Sequence, residues 1–321
     1  MPPARLTPRL LRALAASHLL NRPLTFCAPP LTLPRLALRS SSSSTRWRTR
    51  QSSDTYTRAA RTQGLKSRAA FKLLQLDAKH ALFAPGQTVV DLGFAPGSWS
   101  QVAAEKARGG RVVGIDVIPA QPPAGVSTLQ GNFLSGEVQE MMRGFLREGA
   151  WAGVGEGGDK DGEGGKVGGK TKGRKDERRR DAEMGRVVDV VLSDMSAPWE
   201  PQSGRWLRSV AEPYRRMMNT SGIGVRDHAG SMDLATAALA FAFDMLRAGG
   251  HFVVKFYQGA EDKVLERRLR VLFEKVYREK PESSRSESKE AFFVALRRSP
   301  DVPRKDVLDE EEDVWKEDED E

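Results

Sequence analysis

Residues Val89 to Trp99 read "VVDLGFAPGSW". The apolar run Thr88–Leu92 passes directly into a turn with glycines at 93 and 97, a proline between them and a tryptophan opening the next helical pattern. A short β-branched run bounded by glycine reads as a buried strand. Gly93 and Gly97 let the backbone approach a ligand without interference from a Cβ. In an open α/β sheet, ligands bind beyond the carboxyl ends of the strands, where strand order reverses. This strand, turn and helix therefore mark a binding site.

The neighbouring residues narrow the ligand. "VVGIDV" places Asp116 at the end of the next strand, where a carboxylate accepts hydrogen bonds from ribose hydroxyls. The dinucleotide fingerprint G-x-G-x-x-G is absent, and an acid-bearing turn suits a pyrophosphate poorly. A nucleoside with a sulfonium or ammonium centre fits better, because Asp91 or Asp194 can offset its charge. S-adenosylmethionine is such a ligand. Trp99 reads equally well as a ligand contact or as an anchor for its own helix.

Outward from this stretch the chain alternates strands and helices. Strands are expected at 88–92, 111–117, 126–130, 187–194, 251–256 and 292–296, and helices at 67–79, 99–106, 138–147, 231–247 and 261–273. That alternation predicts an α/β fold with a mostly parallel sheet covered by helices on both faces. Residues 1–53 contain no acid, many arginines and the serine run Ser40–Ser44, the composition of a mitochondrial transit peptide. The folded domain is expected over 54–299. A Gly/Lys/Arg-rich insertion at 153–180 carries almost no apolar residue and is expected to be disordered, as is the acidic tail 300–321.

The formal net charge of +8 points to a polyanionic partner. A single cysteine, Cys27, and four scattered histidines give no metal-ligand spacing, so no metal is expected. No apolar run is long enough to span a bilayer, so no membrane partner is expected.

Six motifs occur in order: "SRAAFKL" (Ser67–Leu73), "VVDLGFAPGSWSQ" (Val89–Gln101), "LQGNF" (Leu129–Phe133), "VVLSDMSAP" (Val190–Pro198), "GGHFVVKFYQG" (Gly249–Gly259) and "KPESSRSESKEAFFVA" (Lys280–Ala295). Together they resemble the FtsJ/RrmJ family of ribosomal RNA (uridine-2′-O-)-methyltransferases, in its mitochondrial large-subunit branch. The resemblance implies a Rossmann-like class I S-adenosylmethionine-dependent fold with a seven-stranded sheet. It also implies a Lys-Asp-Lys-Glu catalytic set, matched here by Lys72, Asp194, Lys255 and Glu290.

In that set Lys255 is the proton acceptor for a ribose 2′-hydroxyl, and Lys72 is the neighbouring cation that disfavours its charged form. Asp194 orients the base and the donor, and Glu290 fixes one of the lysines. A lysine at a strand end is usually surface, but Lys255 interrupts the apolar run Phe252–Phe256 and needs either an acidic partner or a function. A purely structural pair with Asp194 is the competing reading.

For the cofactor, the resemblance implies Gly97 and Trp99 on the methionine side, Asp116 at the ribose, Asn132 at the adenine and Asp194 near the transferred methyl. Three departures from the usual pattern stand out. Asn132 replaces an aspartate, Phe94 replaces an alanine, and "SDMSAPW" replaces "SDMAPN".

Arg58, Arg61, Lys66 and Arg68 form the expected RNA-phosphate patch. The expected partner is mitochondrial large-subunit ribosomal RNA or the pre-ribosomal large subunit, with no DNA, acted on by a monomer in the mitochondrial matrix. The alternatives are a methyltransferase for transfer RNA or another RNA, an inactive RNA-binding assembly factor, and a nicotinamide-dependent dehydrogenase. The missing dinucleotide fingerprint disfavours the last.

Overall fold

The computed structural model describes residues 53–154, 179–197 and 220–309. The expected leader, most of the expected insertion and the end of the acidic tail lie outside the described residues. Seven strands form one sheet: β1 (Thr88–Leu92), β2 (Arg111–Asp116), β3 (Val126–Gln130), β4 (Val188–Ser193), β5 (Leu246–Tyr257), β6 (Phe273–Glu279) and β7 (Glu290–Arg298). Their order is β3-β2-β1-β4-β5-β7-β6. The first five are parallel, and β7 runs antiparallel between β5 and β6. Chain order reverses between β1 and β4, which opens a crevice at their carboxyl ends.

The helices are α1 (Thr55–Thr62), α2 (Ala69–His80), α3 (Ser98–Lys106), α4 (Gly136–Val154), α5 (Gly224–Met245), α6 (Asp262–Leu272) and the short α7 (Lys305–Leu308). One core layer joins α2 and α3, through Leu73, Leu76, Trp99 and Val102, to Val89, Val190, Val253 and Phe292 of the sheet. The opposite layer joins Val90, Val191, Val254 and Phe293 to Met142, Leu239 and Leu269 of α4, α5 and α6. Side chains alternate between faces along a strand. The α2–α3 face therefore continues from Val89 to Asp91, from Val112 to Asp116, from Val190 to Asp194 and from Val253 to Lys255. On the reversed strand it continues from Phe292 to Glu290, and Glu290 pairs with Tyr257. Five ionisable residues thus emerge on one face at one end of the sheet.

Several boundaries differ from the sequence expectation. The helix expected through Phe273 stops at Leu272 and the chain enters β6 directly. β6 buries only Phe273 and Val276, and that spacing of three imitates a continuing helix. β5 begins at Leu246, where a helix end was expected. Its register against β4 shifts between the Val188 and Val190 pairs, and Gly249, at φ 77°, supplies the left-handed backbone of that irregularity.

α1 was not anticipated; the Asp54 carboxylate caps it by accepting the Thr57 N–H at 3.1 Å. Gly153 and Val154 end α4 rather than opening an insertion. α7 lies beyond the expected boundary at 299 and docks Val307 into the core. Among the described residues no helix is long and apolar enough to cross a membrane.

Candidate active site

The crevice between β1 and β4 is a cleft of about 420 Å³, within the size range of nucleoside-type ligands. Its floor is acidic. Asp91, at the end of β1, is fully buried; its Oδ2 accepts the Ser100 hydroxyl at 2.6 Å, and its Oδ1 has no hydrogen-bond partner among the described residues. Burial pushes this carboxyl up to about 7, with Asp194 and Asp116 adding to the rise and Ser100 opposing it. Among the described residues, Asp194 Oδ1 is also buried without a hydrogen bond.

Asp91 Oδ1, buried without a hydrogen-bond partner among the described residues, and the neighbouring Asp194 make the floor of the cleft favourable to a cation, since a buried anion without a partner is costly. The donor set fits a sulfonium-bearing nucleoside and rejects a pyrophosphate. Sequence reasoning named Asp91 only as one of two charge partners. Its complete burial, which gives it that weight, is a tertiary property.

Lys255 lies beside Asp194 on the same face and is 6% exposed. Its Nζ donates to the Asp194 backbone oxygen at 2.7 Å and to Ser196 Oγ at 2.6 Å. Asp194 Oδ1 stands 3.0 Å away as an ion pair, off any hydrogen-bond direction. Behind it, Lys72 of α2 pairs with Glu290 at 2.6 Å, and Glu290 also accepts the Ser284 hydroxyl at 3.0 Å. Burial pushes the Glu290 carboxyl upward, but the charges of Lys72 and Lys255 outweigh it and hold the group below the usual carboxylate range. The structure thus brings Lys72, Asp194, Lys255 and Glu290 together. Asp194 and Lys255 line the cleft, and Lys72 and Glu290 stand behind its wall.

The residues expected at the cofactor take different positions. Asp116 lines the cleft and accepts the backbone N–H groups of Ala95 and Ile118 at 3.0 and 2.9 Å. Burial raises its pKa against those hydrogen bonds. Asn132 lines the cleft, with Oδ1 already accepting the Leu134 N–H at 3.0 Å. Gly97 caps α3 at φ 99° behind the lining, where a Cβ would stand 3.0 Å from Pro123 Cδ. Trp99 is 2% exposed; its indole N–H donates to the Ala69 carbonyl at 3.0 Å and its ring packs on Phe292. It touches the cleft, but its main partners make it the anchor of α3 on α2.

Phe94 fits because Gly114 faces it. A Cβ at Gly114 would stand 2.7 Å from the Phe94 ring. Gly114→Ala is therefore expected to lower stability by about 1–3 kcal/mol through overpacking, read as a drop in Tm. In the double variant Gly114→Ala/Phe94→Ala the loss should be smaller than the sum of the single losses.

Of the expected phosphate patch, Arg58, Arg61 and Lys66 are exposed near the start of α2. Arg68 is instead drawn into an ion pair with Asp54, which Arg285 approaches at 3.7 Å.

Residues 65–298 match the FtsJ-like methyltransferase family. The chain is similar to the "rRNA methyltransferase 2, mitochondrial" of Saccharomyces cerevisiae, at 36% identity over 309 residues covering 86% of this chain and 95% of that one. It is also similar to the "Ribosomal RNA large subunit methyltransferase E" of Maricaulis maris, at 36% identity covering 79% and 70% of the two chains. The protein of that name from Zymomonas mobilis is 34% identical, covering 81% and 91%. With its acid-floored cleft and paired lysines inside the matched segment, this chain belongs to the FtsJ-like methyltransferase family.

Proposed function

We propose that this chain methylates the ribose 2′-oxygen of a uridine in mitochondrial large-subunit ribosomal RNA, in the matrix, with Lys255 as proton acceptor. The observation that carries the reading is a buried lysine amine, ion-paired with Asp194, at the wall of a cleft whose floor holds the buried Asp91 carboxyl. The methyl donor of FtsJ-like methyltransferases is S-adenosylmethionine, which supplies a methyl group on cationic sulfur. Asp91 and Asp194 meet positive charge in the cleft, and Asp116 keeps free lone pairs for ribose hydroxyls.

Methyl transfer requires the 2′-hydroxyl to lose its proton as its oxygen bonds to the methyl carbon and the carbon–sulfur bond breaks. Lys255 Nζ receives that proton, entering the step as a neutral amine and leaving it as an ammonium beside Asp194. The Lys72–Glu290 pair supports the base from behind. A 2′-hydroxyl exists in RNA and not in DNA. Arg58, Arg61 and Lys66 offer phosphate contacts on the approach. The names of the similar proteins support ribosomal RNA as the substrate and the mitochondrion as the location. In the same reading residues 1–53 are the import leader, and the enzyme works as a monomer on ribosomal RNA or the pre-ribosomal large subunit.

Mapping 2′-O-methyl groups in organellar RNA with and without the protein tests the proposal. One uridine of the large-subunit RNA should lose its methyl group. An unchanged map, or a loss confined to transfer RNA, overturns the ribosomal assignment.

A further inference from the structure

If Lys255 accepts a proton, something must aim its lone pair. A neutral primary amine has two N–H bonds and one lone pair at the remaining tetrahedral corner. Two fixed acceptors stand ready for the N–H bonds: the Asp194 backbone oxygen at 2.7 Å and Ser196 Oγ at 2.6 Å. Asp194 Oδ1 stands 3.0 Å from the amine without hydrogen-bond geometry. Lys255 helps to form the cleft wall, so a hydroxyl docked in the cleft would meet the corner that the two acceptors leave. The backbone acceptor is present whatever side chain occupies 194. The hydroxyl depends on Ser196, which stands where the chain departs from the usual "SDMAPN".

Ser196 is itself held. Its hydroxyl is hydrogen-bonded to the phenol of Tyr257, which lies two positions beyond Lys255 on the same face of β5. Tyr257 is pinned to α5 from both sides. Its N–H donates to Ser231 Oγ at 3.0 Å, and its carbonyl accepts from His228 Nδ1 at 2.6 Å. His228 Nε2 in turn accepts the Glu261 N–H at 3.1 Å, which fixes the neutral tautomer that donates through Nδ1. A Cβ at Gly259 would stand 2.4 Å from this imidazole, so the following loop is shaped around it. The connection therefore runs from α5 through Tyr257 and Ser196 to the amine.

We propose that Ser196 is a positioning residue for Lys255: its hydroxyl, held by Tyr257, takes one N–H of the amine and turns the lone pair into the cleft. The role rests on Lys255 being the proton acceptor. A misdirected lone pair raises the barrier to proton transfer without changing how either substrate binds.

The test measures kcat and KM for RNA, with S-adenosylmethionine affinity by calorimetry, in the full-length protein and four variants. Ser196→Ala should lose roughly 10- to 100-fold in kcat, the scale of a misplaced reacting group, with KM and donor affinity unchanged. Ser196→Thr keeps the hydroxyl and should recover most of the rate. Tyr257→Phe should lose less than Ser196→Ala, and the double variant should be no slower than Ser196→Ala alone, because both act through one contact. Wild-type kcat in Ser196→Ala overturns the inference, as does a Ser196→Thr variant as slow as the alanine, or a loss matched by weaker donor binding. Lys255→Ala, assayed beside them, separates the two levels: full activity there sinks the base itself, whereas its inactivity together with a fully active Ser196→Ala sinks only the positioning role.

Discussion

Lys255→Ala is expected to lower the methyl-transfer rate by about 10²- to 10⁴-fold, the usual contribution of a general base, while S-adenosylmethionine still binds. In the proposed site the donor's positive charge meets Asp91 and Asp194, which the substitution leaves in place, so calorimetry should return a Kd close to that of the intact protein. The same substitution strips Asp194 of its counter-ion at 3.0 Å. Removing one member of a buried pair carries its own cost in stability. Lys255→Met, which keeps length and burial, is the control for that cost and should be equally slow. Undiminished turnover in both variants would eliminate Lys255 as the proton acceptor and favour the structural reading of its pair with Asp194.

The second large effect concerns pH and Asp91. Its carboxyl is raised from an ordinary value of 3.8 to about 7, chiefly by burial. Between those values the folded chain holds a proton that the unfolded chain has released. This group's contribution to stability is therefore complete below the lower value and is lost as pH rises through the upper one. The loss is on the order of 4 kcal/mol.

Above that window the empty protein carries a bare buried anion, and a cationic ligand relieves it. Affinity for S-adenosylmethionine should rise from about pH 6 to about pH 8, with a proton released on binding below the upper limit. Asp91→Asn keeps an acceptor for Ser100 but cannot ionise. It should flatten the pH dependence of binding, weaken affinity at high pH and raise the Tm of the empty protein there. Wild-type affinity and wild-type pH dependence in this variant would remove Asp91 from the donor site.

The sequence disclosed the site better than it disclosed the sheet edge. β1 and β3 have the bounds expected from apolar runs between glycines, because both are short strands with clear punctuation. Asp91, Asp194 and Lys255 were named from strand ends and motifs; that they share one face follows from the strand period of two once the sheet is seen. β6 escaped detection because an edge strand buries little, and its two apolar residues are spaced as on a helix. The seventh strand was expected from family resemblance, not from the residues themselves.

Distances across the fold were beyond reach of the linear pattern. Nothing local to Glu290 reveals that its partner is Lys72, and nothing local to Ser196 reveals Tyr257. Trp99 stayed ambiguous in the sequence because an indole at a helix start serves packing and ligand contact equally. Its hydrogen bond to Ala69 and its packing on Phe292 assign it chiefly to packing.

The placement of β7 bears on how the enzyme is made. Lys72 sits on α2, near the start of the domain, whereas Glu290 opens the last strand to be synthesised. β6 is made before β7 but reaches the sheet only through it. A chain interrupted before Glu290 lacks the strand that pairs with β5 and that supplies Phe293 and Phe292 to the two core layers. It would expose a bare edge on β5 and leave Lys72 without its acid. The contact between Lys72 and Glu290 thus forms only once the final strand of translation is in place.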